Sequence, residues 1–201
     1  MNRRTFLAAG SAAVASSALA LNPPRKLRVG VIGHTGRGNY GHGLDTVWQK
    51  LPDTEIKAVA DAHVNGLANA RKRLQVPQGF ADYREMLRKV KLDIVAVCPR
   101  HADQHHDMAL AAIESGVRGI YIEKPFVRTP AEVDSLTAAC KKHGTKIAIA
   151  HRNRWHPMLA VIDQFIADGH LGKILEIRGR GKGDRRGGGE DLWVLGSHVL
   201  N

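Results

Sequence analysis

The 201-residue chain has few cysteines and few aromatic residues, and both shortages narrow what it can be. Cys98 and Cys140 are its two cysteines, and they form no pair of metal ligands. Both lie in apolar runs, so we predict buried free thiols rather than a disulfide. Aromatic residues make up 5% of the chain, which leaves few stacking platforms for single-stranded nucleic acid. The composition also lacks the marks of a disordered chain or a repeat array.

Acidic residues are in the minority among the charged ones. There are 19 Asp and Glu against 30 Lys and Arg, which gives a net charge of +11. Such an excess suits nucleic acid, an anionic surface or an anionic substrate. We predict no nucleic-acid partner, because such a binder needs its basic residues on one face. Hydrophobic residues at 43% are otherwise typical of a soluble globular protein, and the length suits about one and a half domains.

The N-terminal apolar run, Phe6 to Leu19, is shorter than the roughly 20 strongly apolar residues that a membrane span needs. It follows the twin-arginine pair Arg3-Arg4 and ends in Ala18-Leu19-Ala20, a small-x-small cleavage site. We therefore predict that residues 1–20 are a twin-arginine signal peptide, read by the twin-arginine export machinery, and that the protein is periplasmic. Such signals serve proteins exported already folded, often with a cofactor inside.

Short apolar runs alternate with amphipathic segments after a linker at residues 21–26. Continuous apolar runs are expected of strands covered on both faces. The predicted strands are Leu27–Ile32, Ile56–Ala60, Ile94–Cys98, Gly119–Ile122 and Ile147–Ala150. The predicted helices lie at about 40–50, 64–75, 82–90, 103–115 and 131–143. This order predicts a doubly wound parallel α/β sheet over residues 27–150, with the C-terminal strand ends on one ligand-binding edge.

Capping residues mark the ends of two of these helices. Thr129 is the predicted N-cap of the fifth helix, with Pro130 as its first residue, and Glu132 closes a capping box. Gly144 is the predicted stop of that helix. Asp103 is the predicted N-cap of the fourth helix.

A glycine loop follows the first predicted strand. Gly33 and Gly38 occupy the first and third positions of a G-x-G-x-x-G pattern. Thr35 stands at the second position, with Gly36 beside it. Glycines placed there permit a tight turn and let backbone N–H groups approach a pyrophosphate. We predict a dinucleotide-binding loop in which these four residues contact the cofactor.

Asp61 ends the second predicted strand, 28 residues after Gly33. An Asp at this place can accept hydrogen bonds from both ribose hydroxyls of NAD, and it would repel the 2′-phosphate of NADP. The alternative is a helix N-cap. We predict that the cofactor is NAD rather than NADP and that it is tightly bound.

Several short motifs together resemble the glucose–fructose oxidoreductase/inositol dehydrogenase (Gfo/Idh/MocA) family. Besides the glycine loop, they are Val59-Ala60-Asp61, Phe80-Ala81-Asp82-Tyr83, Cys98-Pro99-Arg100-His101, Glu123-Lys124-Pro125 and Gly196-Ser197-His198. The resemblance implies a Rossmann domain followed by the start of an α+β substrate domain at residues 151–201, which we expect to be incomplete. It also implies a sugar-type substrate and a homo-oligomeric full-length protein.

The resemblance assigns proton transfer to Lys124, which follows a predicted strand end. Oxidation of a sugar alcohol moves a hydride to the nicotinamide and a proton to a base. A partly desolvated lysine can lower its pKa enough to take that proton. Glu123 would orient or pair with it, next to the cofactor, and the Lys124–Pro125 bond is predicted to be cis. The alternative is a surface lysine that opens a turn.

His198 matches the late histidine of the family's catalytic site. Val194 stands where the family pattern has an Asp, and Asp191 is the nearby substitute. Pro99 and His101 are predicted to line the nicotinamide. No metal site is predicted, because the i, i+4 histidines of this region have no third ligand.

The chain after residue 150 resembles the family's entry into its substrate domain. Arg154 and Trp155 are the candidate substrate contacts there. A helix is predicted at Met158 to Ala167, and a first antiparallel strand at Lys173 to Arg180. Residues 181–189 are predicted to be a basic loop, either solvated or in contact with an acidic sugar.

Three functions remain open at this point. The leading one is an NAD(P)-dependent oxidoreductase acting on a sugar or cyclitol alcohol. An NAD-dependent glycosidase would use a transient oxidation, an elimination and the return of the hydride. A non-catalytic, dinucleotide-bound binding protein is the alternative outside enzymes.

Overall fold

The computed structural model describes residues 25–179 and 196–198. The predicted signal peptide, most of the linker and the basic loop at 181–189 lie outside these residues. Within them, no helix is long and apolar enough to cross a membrane.

A single parallel sheet of six strands forms the centre of the described structure. The strands are β1 Leu27–Ile32, β2 Thr54–Ala60, β3 Gln78–Phe80, β4 Ile94–Val97, β5 Gly119–Ile122 and β6 Lys146–Ile149. Their order in the sheet is β3-β2-β1-β4-β5-β6, and every neighbouring pair is parallel. The doubly wound α/β fold is therefore confirmed, with its topological switch point between β1 and β4.

Helices connect the strands and cover the sheet. They are α1 Val64–Leu74, α2 Tyr83–Lys89, α3 His105–Glu114, α4 Pro130–His143 and α5 Pro157–Ala167. Short 3₁₀ turns lie at Val47–Lys50, Ala102–Gln104, Arg152–Trp155 and Gly196–His198.

The side chains of the sheet divide into two buried clusters, one on each face. On one face Ile32, Val97 and Ile122 pack with Ile113 of α3 and Leu136 of α4. Residues of β1, β2 and β4 form the other cluster, together with Trp48 and residues of α1. Burial on both faces explains why the strands are continuous apolar runs in the sequence.

The capping prediction for α4 is largely confirmed. The Thr129 hydroxyl accepts the Glu132 N–H at 3.2 Å, and Gly144 ends the helix in the left-handed region at φ 72°. The Glu132 carboxylate accepts the N–H of Arg128, one residue before the N-cap, rather than that of Thr129. The second hydrogen bond of the capping box is therefore made to the residue before the N-cap and not to the N-cap itself.

Two predicted elements are wrong. The segment at 40–50 is mostly turns, with a 3₁₀ turn only at Val47–Lys50, because Asn39, Gly41 and Gly43 adopt φ values of 54°, 63° and 88°. The segment at 173–179 is not a strand, since no other strand of the described chain pairs with it. The sequence also failed to show β3, which has only three residues, one of them glycine.

Asp93 fixes the start of β1 to the loop before β4. Its carboxylate accepts hydrogen bonds from the backbone and guanidinium of Arg28, at 2.9 Å, and from Arg25 of the linker, at 2.9 Å. The Arg28 hydrogen bonds hold the pKa of Asp93 well below its usual range. This buried ion pair orients β1, which carries the glycine loop at its other end.

Candidate active site

The sequence motifs meet at one edge of the sheet, where the parallel strands end. The glycine loop follows β1, Asp61 follows β2, Pro99 follows β4, and Lys124 follows β5. Ligands of open α/β sheets bind at this edge, near the switch point. The predicted placement of these four groups is confirmed.

The glycines of the loop differ in the space around them. A Cβ on Gly33 would collide with the Tyr40 ring, and a Cβ on Gly38, which has φ 92°, would collide with the backbone of Arg100. Gly36 has φ 86° and open space around the position of a Cβ. Gly33 and Gly38 therefore let the loop pack closely, while Gly36 is exposed and its N–H donates to the Asn39 side chain at 3.2 Å.

Asp61 binds the glycine loop rather than facing outward. Its buried carboxylate accepts the Thr35 hydroxyl at 2.6 Å, the Tyr40 hydroxyl at 2.7 Å and the His63 N–H at 2.9 Å. It also accepts the Thr35 N–H at 3.1 Å. A carboxylate has about four acceptor positions, so these donors fill it. The structure thus shows Asp61 bonded to the glycine loop and to the start of α1, and its contact with ribose hydroxyls stays a prediction.

The alternative assignment of Asp61 as a helix N-cap is wrong. The N-cap of α1 is His63, whose ring accepts the Gly66 N–H at 3.1 Å. Burial raises the pKa of Asp61, but hydrogen bonds from Thr35, His63 and Tyr40 outweigh it and leave the pKa below the usual value. Asp61 is therefore an ionised carboxylate inside the protein.

Thr35, which departs from the glycine pattern, is accommodated by a second glycine on α1. A Cβ on Gly66 would collide with the Thr35 hydroxyl and come within 2.8 Å of an Asp61 oxygen. The Thr35 side chain thus occupies space that Gly66 leaves free. A threonine fits this position because its hydroxyl is a donor to Asp61.

A cavity of about 160 Å³ lies at the ends of β1, β2 and β3. Its lining includes Gly33, His34, Asp61, Tyr83 and Gln104. The volume is below the 300–1,000 Å³ or so of whole small-molecule sites, so it suits one part of a dinucleotide. The cavity and the open space beside Gly36 fit a dinucleotide bound across this edge.

At the end of β5, Glu123 orients the backbone of its neighbour. Glu123 is 2% exposed, and its carboxylate accepts the Lys124 N–H at 2.8 Å. Its other oxygen lies 3.1 Å from Nδ1 of His42, a residue of the glycine-rich segment. Lys124 is 8% exposed, and the Lys124–Pro125 bond is cis, as predicted. The hypothesis of an exposed turn lysine is wrong.

His151 belongs to this edge and was missed in the sequence. It lies two residues after the end of β6, and its Nδ1 is buried without a partner among the residues described here. Burial, together with the positive charges of Arg154 and Lys124, lowers the pKa of His151. It is a neutral imidazole near Lys124. The available signal was its position immediately after a predicted strand end.

The loop after β4 packs on the glycine loop. The Arg100 N–H donates to the Gly38 carbonyl at 3.3 Å, and His101 lies beside it. Asp103 is not an N-cap, since it lies inside the 3₁₀ turn and forms an ion pair with Arg37, while Gln104 caps α3. Pro99 and His101 are therefore beside the loop.

The histidines after β4 do not converge. His106 contacts Asp107 and Ser135, whereas the buried His105 contacts only backbone carbonyls. In the described part of the chain, no group of three or more metal-ligating side chains could hold a metal ion.

The remaining predicted site residues are less informative. Arg154 and Trp155 lie in the 3₁₀ turn at Arg152–Trp155, and the Trp155 residue is 82% exposed. The backbone of His198 lies in the turn at Gly196–His198. Asp191 and Val194 lie outside the residues that the structure describes.

A family profile described as an oxidoreductase family with an NAD-binding Rossmann fold matches residues 27–151. The chain is 28% identical over 137 residues to a D-apiose dehydrogenase of Paraburkholderia graminis, covering 68% of this chain and 36% of that protein.

Solved structures show the same fold. Myo-inositol 2-dehydrogenase from Lactobacillus plantarum superposes with a TM-score of 0.67 at 24% identity, over 78% of this chain and 45% of that one. The WlbA dehydrogenase from Bordetella pertussis, solved with NADH and UDP-GlcNAcA, gives a TM-score of 0.64 at 19% identity, over 75% and 44% of the two chains. The chain thus spans less than half the length of these relatives.

Proposed function

The chain belongs to the Gfo/Idh/MocA family of oxidoreductases, with an NAD-binding Rossmann domain, and we propose that the whole protein oxidises a sugar or cyclitol alcohol. The observation that carries the proposal is the position of Lys124. It is a buried lysine after β5, on the same edge as the glycine loop and the cavity. D-apiose dehydrogenase, named for a sugar substrate, is a relative consistent with this class.

Lys124 takes the proton in this reaction. A bound nicotinamide would supply the hydride acceptor, so the substrate carbon loses a hydride and its hydroxyl loses a proton. The carbon–hydrogen and oxygen–hydrogen bonds break as the carbonyl forms, and the proton passes to the Lys124 Nζ. Glu123 fixes the backbone from which that side chain extends. His198 is our proposed second proton-transfer residue, with Asp191 as its partner.

The residues of the other half of the edge would hold a tightly bound dinucleotide. Gly36 leaves open space beside it, and the cavity at the ends of β1 to β3 receives one portion of the ligand. The ionised Asp61 supports NAD over NADP, because a negative charge at this strand end disfavours a 2′-phosphate. Its preference acts through charge, since its acceptor positions are filled.

Replacement of Lys124 by alanine in the whole protein tests the proposal. Turnover should fall by roughly 10²–10⁴, the usual contribution of positioned proton transfer, while the Kd for NAD stays nearly constant. Lys142→Ala, an exposed lysine on α4, is the matched control. Near-normal turnover in Lys124→Ala would end the catalytic assignment and favour a binding protein.

Export through the twin-arginine pathway is a separate part of the proposal, supported by Arg3 and Arg4 in the sequence. Changing both to lysine should leave the folded, cofactor-loaded protein in the cytoplasm. Cell fractionation measures this, and undiminished periplasmic protein would contradict it. We further propose that the whole protein is a homo-oligomer, which light scattering tests.

A further inference from the structure

We propose that His105 is a positioning residue for Lys124, and that its imidazole holds the Lys124 turn against the loop after β4 through hydrogen bonds to backbone carbonyls of both. The inference rests on the proposed function of Lys124 for its catalytic consequence. Its structural part stands independently, on contacts between His105 and two loops of the site.

His105 is the first residue of α3 and is completely buried. Its Nδ1 lies 2.9 Å from the carbonyl oxygen of Pro125 and 2.9 Å from that of Phe126. Its Nε2 lies 2.7 Å from the carbonyl oxygen of Pro99. All three distances are those of well-formed N–H···O hydrogen bonds.

The partners make the ring a hydrogen-bond donor. Carbonyl oxygens only accept, so the imidazole donates to them from a ring N–H. The buried ring lies between the two loops, 2.9 Å from the carbonyl oxygens of Pro125 and Phe126 and 2.7 Å from that of Pro99. Leaving such buried carbonyl acceptors unsatisfied is costly.

The two loops need an outside donor at these places. Pro99 and Pro125 have no backbone N–H, so the turns that contain them have fewer donors for their own carbonyls. His105 supplies a ring N–H donor and connects the loop after β4 to the turn after β5. That turn begins at Lys124, and the loop after β4 is bonded to the glycine loop through Arg100 and Gly38.

The consequence is a fixed distance between two parts of the site. With His105 in place, the residue next to Lys124 is bonded to the loop that packs on the glycine loop. A reacting group displaced by about 1 Å can lose roughly 10²-fold in rate. His105 therefore contributes to turnover through the placement of Lys124, without contacting substrate.

The contact is measured without catalysis, on the full chain labelled with ¹⁵N-histidine. Nuclear magnetic resonance should show a ring N–H of His105 that exchanges slowly with water. His106→Gln, which changes the next histidine on α3, removes a neighbouring signal and helps to identify the resonances. A His105 ring N–H that exchanges as fast as that of an exposed histidine overturns the proposal.

The positioning role is measured in the whole enzyme with His105→Gln and His105→Asn, which retain one amide donor but cannot reach all three carbonyls. We expect turnover at saturating substrate to fall by about 10²-fold. The Kd for NAD should change less than the turnover, and the amide of Val127 should exchange faster with deuterium. His106→Gln should leave all three measurements unchanged.

The outcomes separate this inference from the proposed function. Unchanged turnover and unchanged exchange in both His105 variants overturn the positioning role even if Lys124→Ala is inactive. If both His105 variants fail to fold, the ring-nitrogen spectrum of the unaltered chain still decides. If Lys124→Ala retains turnover, the slow exchange of the His105 ring N–H and of the amides in the turn still tests the contacts.

Discussion

Two buried carboxylates lie at the sheet edge, Asp61 after β2 and Glu123 after β5, and they differ in the number of hydrogen bonds that they accept. Asp61 accepts hydrogen bonds from Thr35, Tyr40 and His63, and so joins the glycine loop to α1. Glu123 accepts one backbone N–H, that of Lys124, and contacts the exposed His42. The first half of the edge is held by many bonds to one carboxylate, and the second by few.

The difference indicates that the two ends of one loop serve different parts of the site. The segment from Thr35 to His42 is bonded to Asp61 at one end and to Glu123 at the other. At the first end, dense bonding prepares a fixed surface for a dinucleotide. At the second, Glu123 is bonded to the backbone from which the Lys124 side chain extends. Substitutions should therefore separate loss of stability from loss of turnover.

The largest loss of stability is expected for Asp61→Ala. It removes the acceptor of the Thr35, Tyr40 and His63 donors, and each buried unsatisfied donor costs about 1–3 kcal/mol. The free energy of unfolding should fall by about 3 kcal/mol or more, as measured by urea denaturation. NAD should also bind more weakly, and the affinity for NADP relative to NAD should rise, because the charge is gone.

Asp82→Ala is the control for this loss. Asp82 caps α2 and accepts one exposed N–H, that of Arg84, at 2.9 Å. Its replacement should cost about 1 kcal/mol, the usual worth of an N-cap. Equal losses in the free energy of unfolding for the Asp61 and Asp82 variants would show that the additional hydrogen bonds of Asp61 do not add to stability.

A smaller loss of stability, with a larger effect on turnover, is expected for Glu123→Ala. One buried N–H, that of Lys124, loses its acceptor, which costs about 1–3 kcal/mol. Turnover should fall more than the affinity for NAD, because the backbone of Lys124 is released. His42→Ala is the control, since it leaves the Lys124 bond intact. A variant with weakened NAD binding and normal turnover would remove the contrast with Asp61.

The strands and the shared edge were predictable because burial on both faces produces continuous apolar runs. Leu27–Ile32 and Gly119–Ile122 are predicted with their observed bounds, which place Gly33 and Lys124 correctly. The strand at 78–80 escaped, because three residues including Gly79 carry no apolar pattern. A strand can be predicted from its own residues when they form a continuous apolar run.

The bonding of Asp61 could not be predicted, because its partners are distant in the sequence. Thr35 is 26 residues away and Tyr40 is 21 residues away, and each reaches Asp61 only through the fold. The turns around Gly41 and Gly43 did carry a local signal, since two glycines within three positions disfavour a helix. The helix predicted there rested on the amphipathic pattern of the segment, which was given more weight than its glycines.

The smallest effect is expected for Tyr40→Phe, which removes one of the donors to Asp61 and keeps the ring beside Gly33. Burial, and then the hydrogen bond to Asp61, raise the pKa of Tyr40, so its hydroxyl remains a donor across the ordinary pH range. Because Asp61 keeps its bonds from Thr35 and His63, the loss of this one hydrogen bond should cost about 0.5–1.5 kcal/mol near neutral pH.

The pH dependence identifies Asp61 as the acceptor. Its pKa is lower in the folded protein than the value of about 3.9 in the unfolded chain. Its stabilisation is therefore complete above the unfolded value and is lost as the pH falls through the folded value. The difference between wild type and Tyr40→Phe should shrink as urea midpoints are measured from pH 6 toward roughly pH 3. Tyr83→Phe is the control, because Tyr83 stacks with Arg84 and should show no such trend. A difference that stays constant with pH would mean that Tyr40 stabilises the loop through its ring alone.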